Sequence, residues 1–385
     1  MSAEQPSRFD NPDSEMGLWQ VGGKANSKSD SETFFVGPEA DDRMKKFRES
    51  ISYIRLAWDR YPQFMGELRD YVMRQREPQI VPGREGEWKE GPGLVETLLS
   101  SRKEWPELGD GENDVGYSAV RLYTSDYCYK KIFEPMNYSF REWNLAGKDL
   151  RALTFLVELL NIDLYRYIHV NSEANDFTGR TYRGMRITSK ALAKIRETAA
   201  DENLKNRYVA IPLSMMSTSR SRQSALKFAE RTVGRDDPHA VLWDVTVYDM
   251  NPAYLAAYRK TFPDSIVTSM CAVPVNNLSY FRDIENEVLL RGPFFQIVRV
   301  YEDIFRDEPL HVIQAVTLNS NRDHVTAVAT NEGEDERMRK IFRDMAISSR
   351  SARCTEHAER LGLTADASYY RNEAAQARAR FSALM

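Results

Sequence analysis

The chain has 385 residues, enough for two domains or for one with long extensions. Its 42% hydrophobic and 29% charged content is ordinary for a globular protein, and a net charge of −4 gives no electrostatic case for nucleic acid or an acidic membrane surface as partner. Three scattered cysteines, Cys128, Cys271 and Cys354, and five separated histidines argue against a disulfide framework and offer no zinc-ligand spacing, so no metal is expected.

The first twenty residues are polar and lack the basic-then-apolar order of a secretory signal. No run approaches the ~18 apolar residues of a membrane span; the stretch 152–160 is interrupted by Glu158. The expectation is a soluble, cytoplasmic chain, although an effector exported without a cleavable signal has the same appearance. Asn137-Tyr138-Ser139 and Asn277-Leu278-Ser279 match the N-glycosylation pattern but mean little without a secretory route.

Residues 1–40 are rich in Ser, Asp, Asn, Gly and Glu without periodicity and read as a disordered leader. Over 42–76, Phe47, Ile51, Ile54 and Trp58 recur at helical spacing, and Pro62 is expected to break the run. A loop over 77–93, a short helix over 94–101 and a loop through Gly109-Asp110-Gly111 follow. Residues 117–168 read as two or three helices, with Val120, Tyr123, Tyr127, Ile132 and Phe133 on one apolar face and Leu150, Leu153, Val157 and Leu160 on another.

Beyond Thr178-Gly179 the texture changes to short strands, predicted over 180–187, 208–212, 240–248, 287–290, 294–301 and 311–318. Helices are predicted over 189–199 and over 221–232, the latter capped by Ser219 or Ser221. From about residue 331 the chain returns to helix, over 337–347, 355–361 and 368–384, with Gly362 and Thr364-Ala365-Asp366 as punctuation. A helical block followed by a strand-rich block is an α+β pattern. The histidines His239 and His311 read as structural, and the flanking helices as docking on the core or on a partner.

Three stations carry possible chemistry: Tyr182-Arg183-Gly184 on the first strand, Ser217-Thr218-Ser219 ending a later strand before a helix, and Glu285-Asn286-Glu287 opening an apolar strand. Alternate strand residues share a face, so Glu285 and Glu287 are expected to point the same way at the strand's entrance. Paired carboxylates suit chemistry at an electron-poor sugar carbon. Each motif alone has a bland reading. Arg183 fits a salt bridge, Gly184 a bulge, Ser-Thr-Ser a turn or cap, and Glu-x-Glu a solvated strand edge.

Their order, with the surrounding residues, resembles the mono-ADP-ribosyltransferase family of the arginine–serine–glutamate type, and its arginine-specific branch related to eukaryotic ecto-enzymes. The resemblance covers roughly residues 116–303. It includes Ala119-Val120-Arg121-Leu122-Tyr123-Thr124, Phe133, Met136-Asn137, Phe140-Arg141, the three stations, Phe228 and Val288-Leu289-Leu290. It implies two small packed sheets forming an NAD cleft, preceded by a helical subdomain. The implied organisation is a leader over 1–40, a helical extension over 41–115, a catalytic domain over 116–330 and a C-terminal helical extension over 331–385. Within the catalytic domain, 116–170 is helical and 178–320 is the β-rich core.

The resemblance implies NAD as substrate, no metal, and transfer of ADP-ribose to a protein with an exposed arginine. Arg183 would hold the pyrophosphate through charge-assisted hydrogen bonds. Gly184 would bring backbone close to the nicotinamide amide. Ser217 would hydrogen-bond the nicotinamide ribose and hold Glu287, while Thr218 and Ser219 stabilise the turn at the cofactor site. Phe228 would lie against the nicotinamide ring, a position that a core phenylalanine fits as well.

Glu287 would bond the ribose 2′-hydroxyl and stabilise positive charge as the glycosidic bond breaks. Glu285 would orient the acceptor guanidinium, which is otherwise protonated and a poor nucleophile, and take up its proton. Tyr280 and Phe281 precede the pair where the family contacts its protein target; packing under the loop is the plainer role. The ecto-enzymes differ in carrying a signal peptide, disulfides and a Pro-Pro where this chain has Arg291-Gly292-Pro293. An NAD glycohydrolase and a non-catalytic NAD- or protein-binding module on the same fold are the rival readings.

Overall fold

The computed structural model describes residues 49–51, 53–76, 118–124, 136, 140, 147–171, 176–210, 215–230, 239–265, 267–276, 278–279, 286–291, 294–322 and 332–385. The leader, the predicted helix over 94–101 and the intervening loops lie outside them, as do Cys128, Tyr280, Phe281 and Glu285.

The N-terminal part is helical. A 3₁₀ turn, Trp58–Arg60, leads into α1, Tyr61–Arg76, followed by α2, Ser118–Thr124, and α3, Gly147–Val170. The helical run over 49–51 and 53–56 breaks as expected, at a turn and the 3₁₀ element just ahead of Pro62. Pro62 sits in the first turn of α1, where its missing N–H costs no helical hydrogen bond. In α3, residues 152–160 are all buried, as expected of a helix that is apolar on nearly every side. Phe64, Leu68 and Tyr71 of α1 pack with it in one core, joined by Ala119, Val120 and Tyr123 of α2. The Asp163 carboxylate accepts the Ala119 and Val120 amides at 2.8 and 3.2 Å, satisfying two donors that the short α2 cannot.

The β-rich part holds β1, Gly179–Ile187; α4, Ser189–Ala200; β2, Tyr208–Ala210; β3, Met215–Ser219; α5, Arg222–Lys227; and β4, His239–Tyr248. It continues with α6, Pro252–Thr261; β5, Val267–Thr268; β6, Ala272–Pro274; and β7, Glu287–Arg291. It ends with β8, Phe294–Phe305; β9, Glu308–Leu318; and β10, Asn321–Arg322. The architecture is α+β. One ladder runs β2-β8-β9-β4-β1-β3-β7-β6, and β5 pairs with β10. Neighbours are antiparallel except β4 and β9.

Among the described residues, β1 and β3 share one paired position, Tyr182 with Ser219, so the ladder divides into a five-stranded and a three-stranded half. Their facing side chains form a common core. Met185, Val241, Trp243, Val245, Phe295 and Ile313 come from the larger half, and Met216, Ala272, Val288 and Leu290 from the smaller. The two expected layers are thus two halves of one continuous sheet. The far face of the smaller half, with Met215, Val273 and Leu289, joins the helical core.

The C-terminal helices dock on this body. They form two long elements, α7, Glu332–Arg360, and α8, Thr364–Leu384, where three shorter helices were predicted. Gly362 lies at φ +71°, and the Leu363 amide reaches back to the Ala358 carbonyl at 2.8 Å, closing α7 with a left-handed cap. Met338, Ile341, Phe342, Met345 and Phe381 pack on Tyr258 of α6 and on Phe262, which caps its end. Cys354 and Tyr370 pack on Val298 and Val316 of the sheet. Helix α6 was not predicted; its signal is Asn251-Pro252, where the Asn251 side chain accepts the Ala253 amide at 2.9 Å and Pro252 opens the helix.

Candidate active site

The site forms where the two halves of the sheet meet. Alternation along β1 puts Arg183 with Met185 and Ile187 on the face toward the shared core, and Tyr182 and Gly184 on the opposite face. Arg183 is 4% exposed, and its Nη1 donates to the Ser217 carbonyl across the junction. Ser217 therefore meets two other stations at once. Its carbonyl accepts from Arg183, and its hydroxyl donates to Glu287 Oε1 at 2.5 Å.

Glu287 opens β7 and is 1% exposed. A buried carboxylate is tolerated only with good hydrogen-bond partners. The second comes from Ser279, whose hydroxyl donates to Oε2 at 3.0 Å. By alternation Glu287 lies on the same face of β7 as Leu289, and Ser217 on the same face of β3 as Met215. Both apolar residues belong to the core shared with α1–α3. That face thus changes from apolar under the helices to hydroxyl and carboxylate at its other end.

Thr218 and Ser219 hold the frame. The Thr218 hydroxyl donates to the Val288 carbonyl at 2.7 Å, and the Ser219 hydroxyl accepts the Ser221 amide at 3.0 Å. The cap of α5 is Ser221, not Ser219, accepting the Ser224 amide at 3.2 Å. Phe228 follows at the end of α5 and is half-buried. At Gly184 the close approach is to this helix: a Cβ there would lie 1.8 Å from the Ala225 carbonyl oxygen. The glycine lets β1 and the backbone of α5 touch.

The expected sharing of a strand face by Glu285 and Glu287 falls on Glu285, which lies outside the described residues. The strand begins at Glu287, and Asn286 has φ +46°, in the left-handed region. A residue of that conformation turns the chain at the entrance to β7. The Asn286 carbonyl accepts the Arg220 amide at 3.0 Å, which ties this turn to the one after Ser219.

The structure thus brings together Arg183, Ser217 and Glu287, with Thr218 and Ser219 beside them; Glu285, Tyr280 and Phe281 lie outside the described residues. Sequence reasoning missed Ser279. It was noticed only as part of a glycosylation pattern, and no spacing marks it as a partner of Glu287. Among the described residues no group of three or more His, Cys, Asp or Glu is placed to hold a metal, and no helix is long and apolar enough to cross a membrane.

No protein-family model matches the chain, and no curated protein matches it. Solved structures are similar at low identity. The Vis toxin, an ADP-ribosyltransferase from Vibrio splendidus, is 16% identical, covering 66% of this chain and 92% of that one, with a TM-score of 0.34. Plx2a, an ADP-ribosyltransferase toxin from Paenibacillus larvae, is 14% identical over 58% of this chain and 96% of that one, with a TM-score of 0.33. The ADP-ribosyltransferase HopU1 of Pseudomonas syringae pv. Tomato is 13% identical over 76% and 98%, with a TM-score of 0.33.

Proposed function

We propose that this chain is an NAD-dependent mono-ADP-ribosyltransferase that moves ADP-ribose from NAD to an arginine of a protein and releases nicotinamide. The observation that carries the reading is the double role of Ser217, whose carbonyl takes Arg183 and whose hydroxyl takes Glu287. A phosphate-binding cation and a carboxylate fixed by one residue suit a nucleotide held at its pyrophosphate while charge develops on its ribose.

In this reading Arg183 binds the pyrophosphate and Ser217 contacts the nicotinamide ribose. The Glu287 carboxylate bonds the 2′-hydroxyl and stabilises the oxocarbenium-like ribose as nicotinamide departs. Glu285 orients the incoming guanidinium and accepts its proton, and Tyr280 and Phe281 meet the target protein. Residues 116–330 form the catalytic domain, with the helical segments on either side as extensions.

The test is nicotinamide release from NAD with and without agmatine, a soluble arginine mimic. Wild type is expected to modify agmatine. Glu287→Gln is expected to cut release by about 10²–10³-fold, the usual effect of removing a group that stabilises transition-state charge. Glu285→Ala is expected to lose transfer more than hydrolysis. Release without modification of agmatine would leave water or another residue as acceptor, and no release at millimolar NAD would overturn the reading.

A further inference from the structure

We propose that Ser279 is a positioning residue for Glu287, setting the plane of its carboxylate for the ADP-ribosyl transfer proposed above, on which this inference rests. Ser279 is 3% exposed, and its hydroxyl donates to Glu287 Oε2 while Ser217 donates to Oε1. One donor alone leaves the terminal carboxylate torsion broad. Donors on both oxygens, from two separate segments, fix the plane.

The segment that delivers Ser279 is itself built on Glu287. The Val275 amide donates to the Glu287 carbonyl at 2.9 Å, and the Leu278 and Ser279 amides return to the Val275 carbonyl at 2.8 and 2.6 Å. The turn over 275–279 therefore grips Glu287 by its backbone and, through Ser279, by its side chain. A carboxylate held this way meets a developing charge without reorienting, which favours the transition state over the bound substrate. In sequence, Ser279 immediately precedes Tyr280 and Phe281, to which acceptor contact is assigned.

The experiment compares wild type, Ser279→Ala and Ser279→Cys in nicotinamide release, with kcat and KM for NAD separated and the melting temperature recorded. Cysteine keeps the approximate volume of serine but donates weakly. Both variants are expected to lose about tenfold to hundredfold in kcat, the range for one hydrogen bond to a charged group, with KM nearly unchanged. A cysteine variant that turns over like wild type would reduce Ser279 to packing and overturn the proposal, as would an alanine variant of undiminished kcat. An inactive wild-type chain fails in a different way: the transfer reaction itself falls, and the positioning role falls with it.

Discussion

Tyr182 of β1 and Ser219 of β3 form the one pairing that joins the two halves of the sheet among the described residues. The short junction has a chemical consequence. It leaves Arg183, the next residue of β1, facing the Ser217 carbonyl two residues back along β3, and so assembles the candidate site at the seam.

The seam has a second fastening, Asn319, which is fully buried just after β9. Its side chain accepts the Ala272 amide at 2.7 Å and donates to the Ala272 and Phe177 carbonyls at 3.1 and 2.9 Å. Asn319→Ala removes the partner of the two buried Ala272 backbone groups and of the half-buried Phe177 carbonyl. Each unsatisfied group costs about 1–3 kcal/mol, so a loss of about 3–5 kcal/mol is expected. Urea denaturation measures it, and a loss below about 1 kcal/mol would mean that the halves hold together without this pin.

Gly184 tests the seam from the other side. A methyl group added there meets the Ala225 carbonyl oxygen at 1.8 Å, the Ala225 carbonyl carbon at 2.8 Å and the Ala229 amide nitrogen at 3.1 Å. All three are backbone atoms, so α5 must shift as a unit. Gly184→Ala is expected to destabilise the fold by about 1–3 kcal/mol, the usual range for overpacking, or by more if α5 detaches. Thermal melting of Gly184→Ala beside Gly66→Ala, whose added methyl meets nothing within 4 Å, isolates the clash. Equal melting temperatures would refute it.

The strands that carry Arg183 and Glu287 were legible because they are long or apolar. The predicted strand over 180–187 is β1, and 287–290 is β7 with one further residue. The three stations were legible as an ordered set. The edge strands β5, β6 and β10, of two or three residues each, were not, because so short a run shows no alternation. The turn at Asn286 was hidden for a different reason: asparagine tolerates both left-handed and extended backbone, so it gives no turn signal of its own. Ser279 and Asn319 act through contacts made only when distant segments meet. Helix α7 runs on through 348–354, between the predicted helices over 337–347 and 355–361; there Ser348 and Ser351 bond to α8, at the Ala374 carbonyl and the Glu373 carboxylate.

The helical part reaches β7 through buried polar groups. Arg55 Nε donates to Glu158 Oε1 at 2.5 Å, Asn161 donates to Glu158 Oε2 at 2.9 Å, and Arg291 at the end of β7 donates to Asn161 at 2.6 Å. Glu158 is 4% exposed, so Glu158→Ala strands an arginine and an amide at the interface. Breaking a buried pair in this way costs about 3–5 kcal/mol, whereas Glu158→Leu with Arg55→Met replaces the charges by apolar packing and is expected to recover much of it. Comparable stability of Glu158→Ala and wild type in urea would show that the pair contributes nothing.

One buried histidine and one half-buried histidine give the fold an acid limit. His311 is held below its ordinary range first by burial and then by the charge of Arg196, whose guanidinium donates to Nδ1 at 3.2 Å; Glu302 acts the other way and His239 with Arg196. His357 is lowered first by burial and then by Arg360 and Arg180, against Glu356 and Asp244, and its Nε2 lies 2.8 Å from the Tyr248 hydroxyl. Both are neutral in the folded chain where an unfolded histidine, with a pKa of about 6.5, begins to take a proton. Below that pH the unfolded state binds more protons, so the stability present above it is lost as pH falls toward the folded values. Melting temperature is therefore expected to drop between about pH 7.5 and 5.5, before most carboxylates titrate, and to drop less in the variant carrying His311→Gln and His357→Gln. An equally steep drop in that variant would assign the acid limit to other groups.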